Sequence, residues 1–340
     1  MPEQKCFSND QTYQWTTMTL SAIRSAMENI GFNEIVPAIL SSELEPGAFH
    51  SYAVIGDRSR PDVKKNISSN IEHQVTVTGK EAYHLPVSHN FEKQQATEYL
   101  DKVYCLTPCV RLLQEGEAQS RKHLNTFFQV EVEWRTESME EVFDTAEKIL
   151  TGIATRLIKK VEQSPALSIN EAEKHLKAMI SGNYPRITFA EALKMVNADP
   201  DRETDLSFEE DQMLSQKFDR PFWIYNYPKS VRDAVYHENA EGKYDTYDLM
   251  LPFGYGEIST GGIRPKTGEA ILSQSVRNLG EPEETLTHGH AEWKRTHQIQ
   301  TAGFGIGLER LLRFISGSRT ILDFVQPHDH GPNRKIFSIN

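Results

Sequence analysis

Long hydrophobic runs are missing from this 340-residue chain: no uninterrupted apolar stretch approaches the roughly 20 residues a membrane span needs. The opening MPEQKCFSNDQTYQW lacks the basic and apolar regions of a secretory signal, so a soluble cytoplasmic protein with no membrane partner is expected. Cysteine is scarce, with three in all. Cys105 and Cys109 in YCLTPC have neither a second pair nor metal-like histidine spacing, which predicts reduced core thiols rather than a disulfide framework or a zinc site. Positive charge is also in deficit, at 37 Lys+Arg against 48 Asp+Glu, a formal net charge of −11. Phosphate-backbone binding normally demands a basic face, so nucleic acid is not expected as an obligate partner.

Hydrophobic residues make up 38% of the chain, enough for one large core or two modest ones. Met18, Ala22, Ile23, Ala26, Met27 and Ile30 recur at helical spacing until Gly31 stops the pattern. A strand Glu34-Ile35-Val36 then runs into Pro37, which suits a strand end or an interface edge. Phe127 to Trp134 alternates as a half-buried antiparallel strand does. A long helix follows, with Val142, Phe143, Ala146, Ile149, Leu150, Ile153, Leu157 and Val161 on its apolar face. Residues 163–220 turn polar and acidic and read as a small helical insertion within one domain. Strand patterns resume at Pro221–Tyr227, Tyr247–Leu251 and Gly256–Ile263, and a last helix is predicted over Gly307–Phe314. The fold class is α+β, an antiparallel sheet flanked by helices.

Three segments carry chemistry. Ala302 to Leu311 is read as a helix opening with three glycines and Arg310 on its first turns, where backbone approaches a ligand and a guanidinium clamps phosphate or stacks on a base. Tight helix-on-strand packing explains the same glycines. Val110-Arg111 ends a strand, a polar loop follows, and His123 and Phe127 enter the next; that arrangement grips phosphates and stacks a base, or is simply a solvated hairpin tip. Asp248 and Glu257, on successive strands, suit a magnesium ion that carries ATP phosphates, with an ordinary surface salt bridge as the competing view.

In order and spacing these segments resemble the three signature motifs of class II aminoacyl-tRNA synthetases, and of the aspartyl/asparaginyl subclass in particular. Gly31 to Pro37 is similar to motif 1, Arg111 to Trp134 to motif 2, and Gly303 to Arg310 to motif 3. The resemblance implies ATP as substrate, with Arg111 on its α-phosphate, His123 on its γ-phosphate, and adenine between Phe127 and Arg310. It implies Mg2+ at Asp248 and Glu257 and a homodimer through motif 1. For the amino acid it implies Ser88, Asn90 and Lys93 from Ser88-His89-Asn90-Phe91-Glu92-Lys93, Arg264 as a second reader of the side chain, and Glu45 near the α-amino group. Two departures stand out. The family's Arg-x-Glu is Arg111-Leu112-Leu113 here, and its glutamine is the shorter Asn90.

Two cations facing the pocket predict an acidic side chain on the substrate; the alternative has Lys93 in solvent and Arg264 paired with Glu257. Family members carry an anticodon-binding barrel of about a hundred residues, the size of a small domain, before motif 1. The acidic balance and the short segment ahead of motif 1 lead to the expectation of an AMP-forming ligase. It would activate aspartate or a similar amino acid and pass it to ammonia or another small amine or alcohol, with tRNA not expected as a partner. The alternatives are a paralogue that acts on tRNA and a non-catalytic regulatory one. His288-Gly289-His290 and His328-Asp329-His330 are read as solvated loop histidines.

Overall fold

A computed structural model of the chain describes residues 7–43, 52–56, 81–111, 123–163, 170–232, 236–279 and 288–325. Helix α1, Asn9–Asn29, starts nine residues ahead of Met18, the first of the apolar series, because Ser8 and Gln11 form a capping box. The Ser8 hydroxyl accepts from the Gln11 N–H and the Gln11 side chain accepts from the Ser8 N–H. The helix ends at Gly31, whose φ of +81° is open to glycine at little cost. Strand β1 then keeps only Asn33–Glu34, paired parallel to β4, Lys102–Val110. Ile35 still donates to the Tyr104 carbonyl at 2.8 Å, but Val36 turns outward.

Next come the two-stranded pair β2, Ala53–Gly56, and β3, Glu81–His84, and the short helix α2, Asn90–Ala96. Strand β5, Thr126–Arg135, pairs antiparallel with β4 and leads into the long helix α3, Met139–Glu162, capped by Ser138. Residues 163–220 hold helix α4, Asn170–Ile180, strand β6, Arg186–Thr188, and helices α5, Phe189–Met195, and α6, Phe208–Ser215. Strands β7, Phe222–Tyr225, β8, Thr246–Leu251, and β9, Gly256–Ile263, extend the sheet. Helices α7, Gly268–Leu279, and α8, His288–His297, precede strand β10, Thr301–Gly307, and helix α9, Leu308–Ser316.

Eight strands form one mixed sheet in the order β1-β4-β5-β10-β9-β8-β7-β6. It is antiparallel except at its edges, where β1 joins β4 and β6 joins β7 in parallel. Period-two alternation divides its centre into two faces. Val130, Val132 and Trp134 of β5, with Phe304 and Ile306 of β10, meet Trp15, Ile23, Leu150, Ile153, Leu176, Leu311 and Phe314 from α1, α3, α4 and α9 in the main core. Trp134 lies edge-on between Phe32 and Phe304. Cys105 and Cys109 are buried, and neither is in a disulfide among the described residues.

The second face carries Phe127, Gln129, Glu131 and Glu133 from β5 beside Gly303, Gly305 and Gly307 from β10, their register partners being Glu133↔Gly303, Glu131↔Gly305 and Gln129↔Gly307. The three glycines therefore lie in a strand, not in the helix opening that the sequence suggested, and α9 starts only after them. Side-chain room explains their presence. A Cβ on Gly303 would stand 2.0 Å from Glu133 Oε2 and 2.2 Å from the Val132 carbonyl oxygen. At its far end this face is covered by Phe189, Leu193 and Leu214 of α5 and α6 packed on Ile224 and Met250.

Since the Val132 oxygen belongs to a central strand and cannot retreat, Gly303→Ala is expected to cost about 1–3 kcal/mol. A urea unfolding midpoint equal to that of the parent would show that the strand yields more easily than this packing implies.

Candidate active site

The sheet's polar face organises two neighbouring groups of side chains. At one end, Arg111 follows β4 and its Nε and Nη2 donate to the Val87 carbonyl at 3.3 and 3.2 Å. Its guanidinium carbon stands 5.0 Å from the centre of the Phe127 ring, close enough for cation–π attraction. His123 is half-buried just before β5. Across the sheet, Arg310 Nη1 donates to Glu257 Oε1 at 2.9 Å and to the Glu257 carbonyl at 3.1 Å. Glu309, beside Arg310, accepts from the backbone N–H of Phe128 at 3.1 Å. That bond ties the first turn of α9 to the start of β5, and so fixes Arg310 relative to Phe127.

Asp248 on β8 is buried and committed. Its Oδ2 accepts from the Tyr227 hydroxyl and from Arg232 Nη2, both at 2.6 Å, and its Oδ1 accepts from the Thr260 hydroxyl at 2.8 Å. Burial holds its pKa above the usual carboxylate range against the pull of Arg232. Arg232 also lies over the Tyr227 ring at 3.6 Å. Glu257 is about one-third exposed, and its hard oxygens suit a divalent cation that brings phosphate ligands. Asp248 fits that role less well with three donors already on it. Among the described residues no cluster of three or more His, Cys, Asp or Glu side chains forms a ready-made metal cage.

The other group is deeply buried and consists of ion pairs. Lys93 of α2 is 2% exposed and its Nζ lies 2.7 Å from Glu131 Oε2. The Ser88 hydroxyl donates to the same oxygen at 3.1 Å, and the His89 N–H donates to both oxygens. Burial alone would raise the Glu131 pKa; the Lys93 charge and hydrogen bond outweigh it and lower it to about 2. Burial likewise opposes the Lys93 charge, but Glu131 and then Glu133 raise its pKa. Arg264 grips Glu133 through Nε and Nη2, each at 3.1 Å, and the Thr301 hydroxyl donates to Glu133 at 2.6 Å. Asn90 opens α2, with its Oδ1 buried and without a partner. A pocket of about 220 Å³ adjoins this group and is lined by Ser41, Glu43, His84, Ser88, Glu92 and Gln95 among others.

Lys93 and Arg264 thus lie in one buried group, and neither alternative partner, solvent for Lys93 or Glu257 for Arg264, is the one found. Sequence reading missed Glu131 and Glu133. The alternation Val130-Glu131-Val132-Glu133 was visible, but a period of two cannot reveal that its polar face is covered. Glu45 lies outside the described residues. The histidines around Gly289 do not form a solvated loop: they open α8, and His290 is buried with its ring stacked on Phe91 at 4.1 Å. His328 and His330 lie outside the described residues.

Comparison with known proteins decides the family: the model for class II tRNA synthetases (D, K and N) matches residues 8–326. The chain belongs to that family. Curated relatives of this synthetase-family chain include the asparagine–tRNA ligase of Herpetosiphon aurantiacus, 28% identical over 247 residues that cover 66% of this chain and 53% of the relative. The asparagine–tRNA ligase of Thermus thermophilus is 29% identical over 227 residues, covering 64% and 50%. The chain spans about half the length of the curated relatives it matches. Among solved structures, asparaginyl-tRNA synthetase from Pyrococcus horikoshii complexed with asparaginyl-adenylate superposes with a TM-score of 0.78 at 21% identity, over 95% of this chain and 70% of that one. Aspartyl tRNA synthetase from Entamoeba histolytica gives 0.65 at 17%, over 93% and 57%. These likenesses establish the class II catalytic-core fold.

They also overturn two expectations. The relatives are named tRNA ligases, which favours the tRNA-directed reading over an aspartate-activating ligase with ammonia or a small amine as acceptor, and conflicts with leaving tRNA out as a partner. Net charge does not decide between these readings, because it sums the whole surface, whereas phosphate contact needs one local basic face. No helix among the described residues is long and apolar enough to cross a membrane.

The buried pairs generate a stability prediction. Arg264→Met removes the one ion-pair partner that Glu133 has among the described residues, so unfolding should become easier by about 3–5 kcal/mol. Arg264→Met combined with Glu133→Leu should recover most of that loss in urea denaturation. Equal destabilisation in the single and the double variant would mean the pair is not the source.

Proposed function

We propose that this chain adenylates the α-carboxylate of asparagine with ATP and passes the asparaginyl group to tRNA. The charge count of the buried group beside the pocket carries this reading. Lys93 is matched by Glu131 and Arg264 by Glu133, so the two cations that suggested an acidic side chain are already neutralised. A carboxamide, with one acceptor oxygen and two N–H donors, meets such alternating charges without adding a net charge of its own. Bringing a carboxylate beside Glu131 and Glu133 instead would oppose like charges in a low-dielectric site. The names of the curated relatives support the same amino acid and the same acceptor.

In the first step an asparagine carboxylate oxygen attacks the α-phosphorus of ATP, and the bond to pyrophosphate breaks. Arg111 and Arg310 face the charge that grows on the transferring phosphates, and Phe127 offers its ring to adenine. Glu257 is the carboxylate best placed to hold Mg2+, which when bound neutralises phosphate charge; Asp248 stays engaged with Arg232. In the second step a terminal ribose hydroxyl of tRNA attacks the activated carbonyl and AMP leaves with the bonding pair.

We further propose a homodimer. Val36, 95% exposed, and Ile39, 61% exposed, lie just beyond the edge strand β1, where a second copy would cover them. Sedimentation at micromolar concentration should give twice the chain mass, and a monomer would overturn it.

Alanine at Arg111 or at Arg310 should slow asparagine-dependent pyrophosphate exchange about a hundredfold, as expected for the loss of roughly 3 kcal/mol of transition-state stabilisation. Labelled asparagine should become acid-precipitable on unfractionated tRNA. Exchange with aspartate but not asparagine would refute the substrate assignment; exchange without any charging of tRNA would refute the acceptor.

A further inference from the structure

Beside the two ion pairs lies a third buried cation. Lys294 of α8 is fully buried, and among the described residues it has no ion-pair partner; its Nζ donates to the Ile299 carbonyl at 2.6 Å. The turn that accepts this bond also positions the Arg264–Glu133 pair. Arg264 donates its N–H to the Thr301 carbonyl at 2.8 Å, and the Thr301 hydroxyl donates to Glu133. Lys294 therefore stands at the base of the Arg264–Glu133 pair. Among the described residues of this group, three buried cations, Lys93, Arg264 and Lys294, are set against two buried carboxylates, Glu131 and Glu133.

Among the described residues no further carboxylate forms an ion pair with Lys294; Glu43 sits at the start of its helix, where its Oε2 accepts from the His290 N–H at 3.2 Å. On its own helix His290 is buried, its Nε2 has no partner, and burial keeps its pKa well below the usual histidine value, so it is neutral at pH 7. From α2, the neighbours of that helix are the uncharged Phe91 and Gln95. Glu292, Arg295 and His297 lie on the accessible side of α8, paired among themselves or with Glu269 and Glu98. Among the described residues, Glu133 and Arg264 are the charges that act on Lys294. Burial, opposed by Glu133 and reinforced by Arg264, pushes its ammonium down to about 7.

We propose that Lys294 sets which side-chain charge the amino-acid pocket accepts: as a neutral amine it leaves the pocket balanced for asparagine's amide, and as an ammonium it adds an unmatched cation that admits aspartate's carboxylate. This inference rests on the asparagine reading above. The linkage is reciprocal: a bound carboxylate holds the proton on Lys294, and a proton on Lys294 favours a bound carboxylate. Neither free amino acid changes its side-chain charge between pH 6 and pH 9, so the protein is the source of any change in preference.

The test is the ratio of kcat/KM for aspartate to that for asparagine in pyrophosphate exchange, followed from pH 6 to pH 9. In the parent the ratio should fall roughly tenfold as pH rises, equivalent to one pKa unit of linkage, with its midpoint near 7. Lys294→Met should give a flat, low ratio, and Lys294→Arg, charged throughout, a flat, high one. A Lys294→Met ratio that still falls with the parent's midpoint overturns the proposal, since another group would then be titrating. If asparagine exchanges and the parent ratio is flat, Lys294 is refuted and the proposed function stands. If asparagine gives no exchange at any pH, the proposed function fails, and thermal unfolding tests Lys294 by itself. A buried lysine with a lowered pKa binds fewer protons folded than unfolded, so the parent should gain stability over Lys294→Arg as pH rises from 7 to 9. Parallel stability curves would overturn the buried-amine premise. Should Lys294→Met not fold, the parent and Lys294→Arg ratios decide the matter between them.

Discussion

Two carboxylates buried on a central strand are the constraint around which this molecule is built. Glu131 and Glu133 occupy β5 with almost no access to water. Left unpaired, each would either take up a proton or destabilise the fold by several kcal/mol. Lys93 and Arg264 remove that penalty, and they come from elements far away in the chain, α2 and the end of β9. To reach the carboxylates, α2 must lie across β4 and β5, and β9 must stand one strand beyond β10. The requirement to neutralise two side chains thus fixes the placement of elements on both sides of the sheet's centre.

The same requirement makes β10 glycine-rich. Glu133 leans over Gly303, where a Cβ would meet its oxygen, while Gln129 lies over Gly305. Large side chains on one strand fill the room left by none on its neighbour, and backbone stays partly accessible at Gly305 and Gly307 beside a wall of charge. Such a surface suits a ligand that is itself both planar and charged, because backbone approaches it closely while fixed charges orient it. The opposite face of the same strands is filled by Val130, Val132, Trp134, Phe304 and Ile306 and anchors the site against α1, α3 and α9.

Much of the scaffold was legible in the sequence because it is written in local periodicity. The apolar face of α3, the stop at Gly31, the alternation of β5 and the strands β8 and β9 each need only a short window to be seen. What was not legible depends on distant pairing. Arg264 and Glu133 are 131 positions apart, and nothing near either residue announces the other. The glycines before Arg310 looked like a helix opening since glycine carries no periodic signal; their place in a strand is dictated by Glu133 on the neighbouring strand. Segment 163–220 contained an edge strand, β6, that its polar composition concealed. His290 was read as solvated because a short polar run says nothing of the Phe91 ring that covers it.

The two halves of the site are coupled by strands rather than by loops. Phe127, Glu131 and Glu133 share β5, so the adenine end and the amino-acid end cannot shift independently by more than the strand itself flexes. Glu309 adds a second tie, since it accepts from the Phe128 backbone and so binds Arg310's helix to the same strand. For an in-line attack the reacting carboxylate and the α-phosphorus must meet within a few tenths of an ångström of the productive geometry, and rigid elements hold that tolerance better than loops do. Charge pairing that was needed to bury Glu131 and Glu133 therefore also stiffens the platform on which the two substrates have to be aligned.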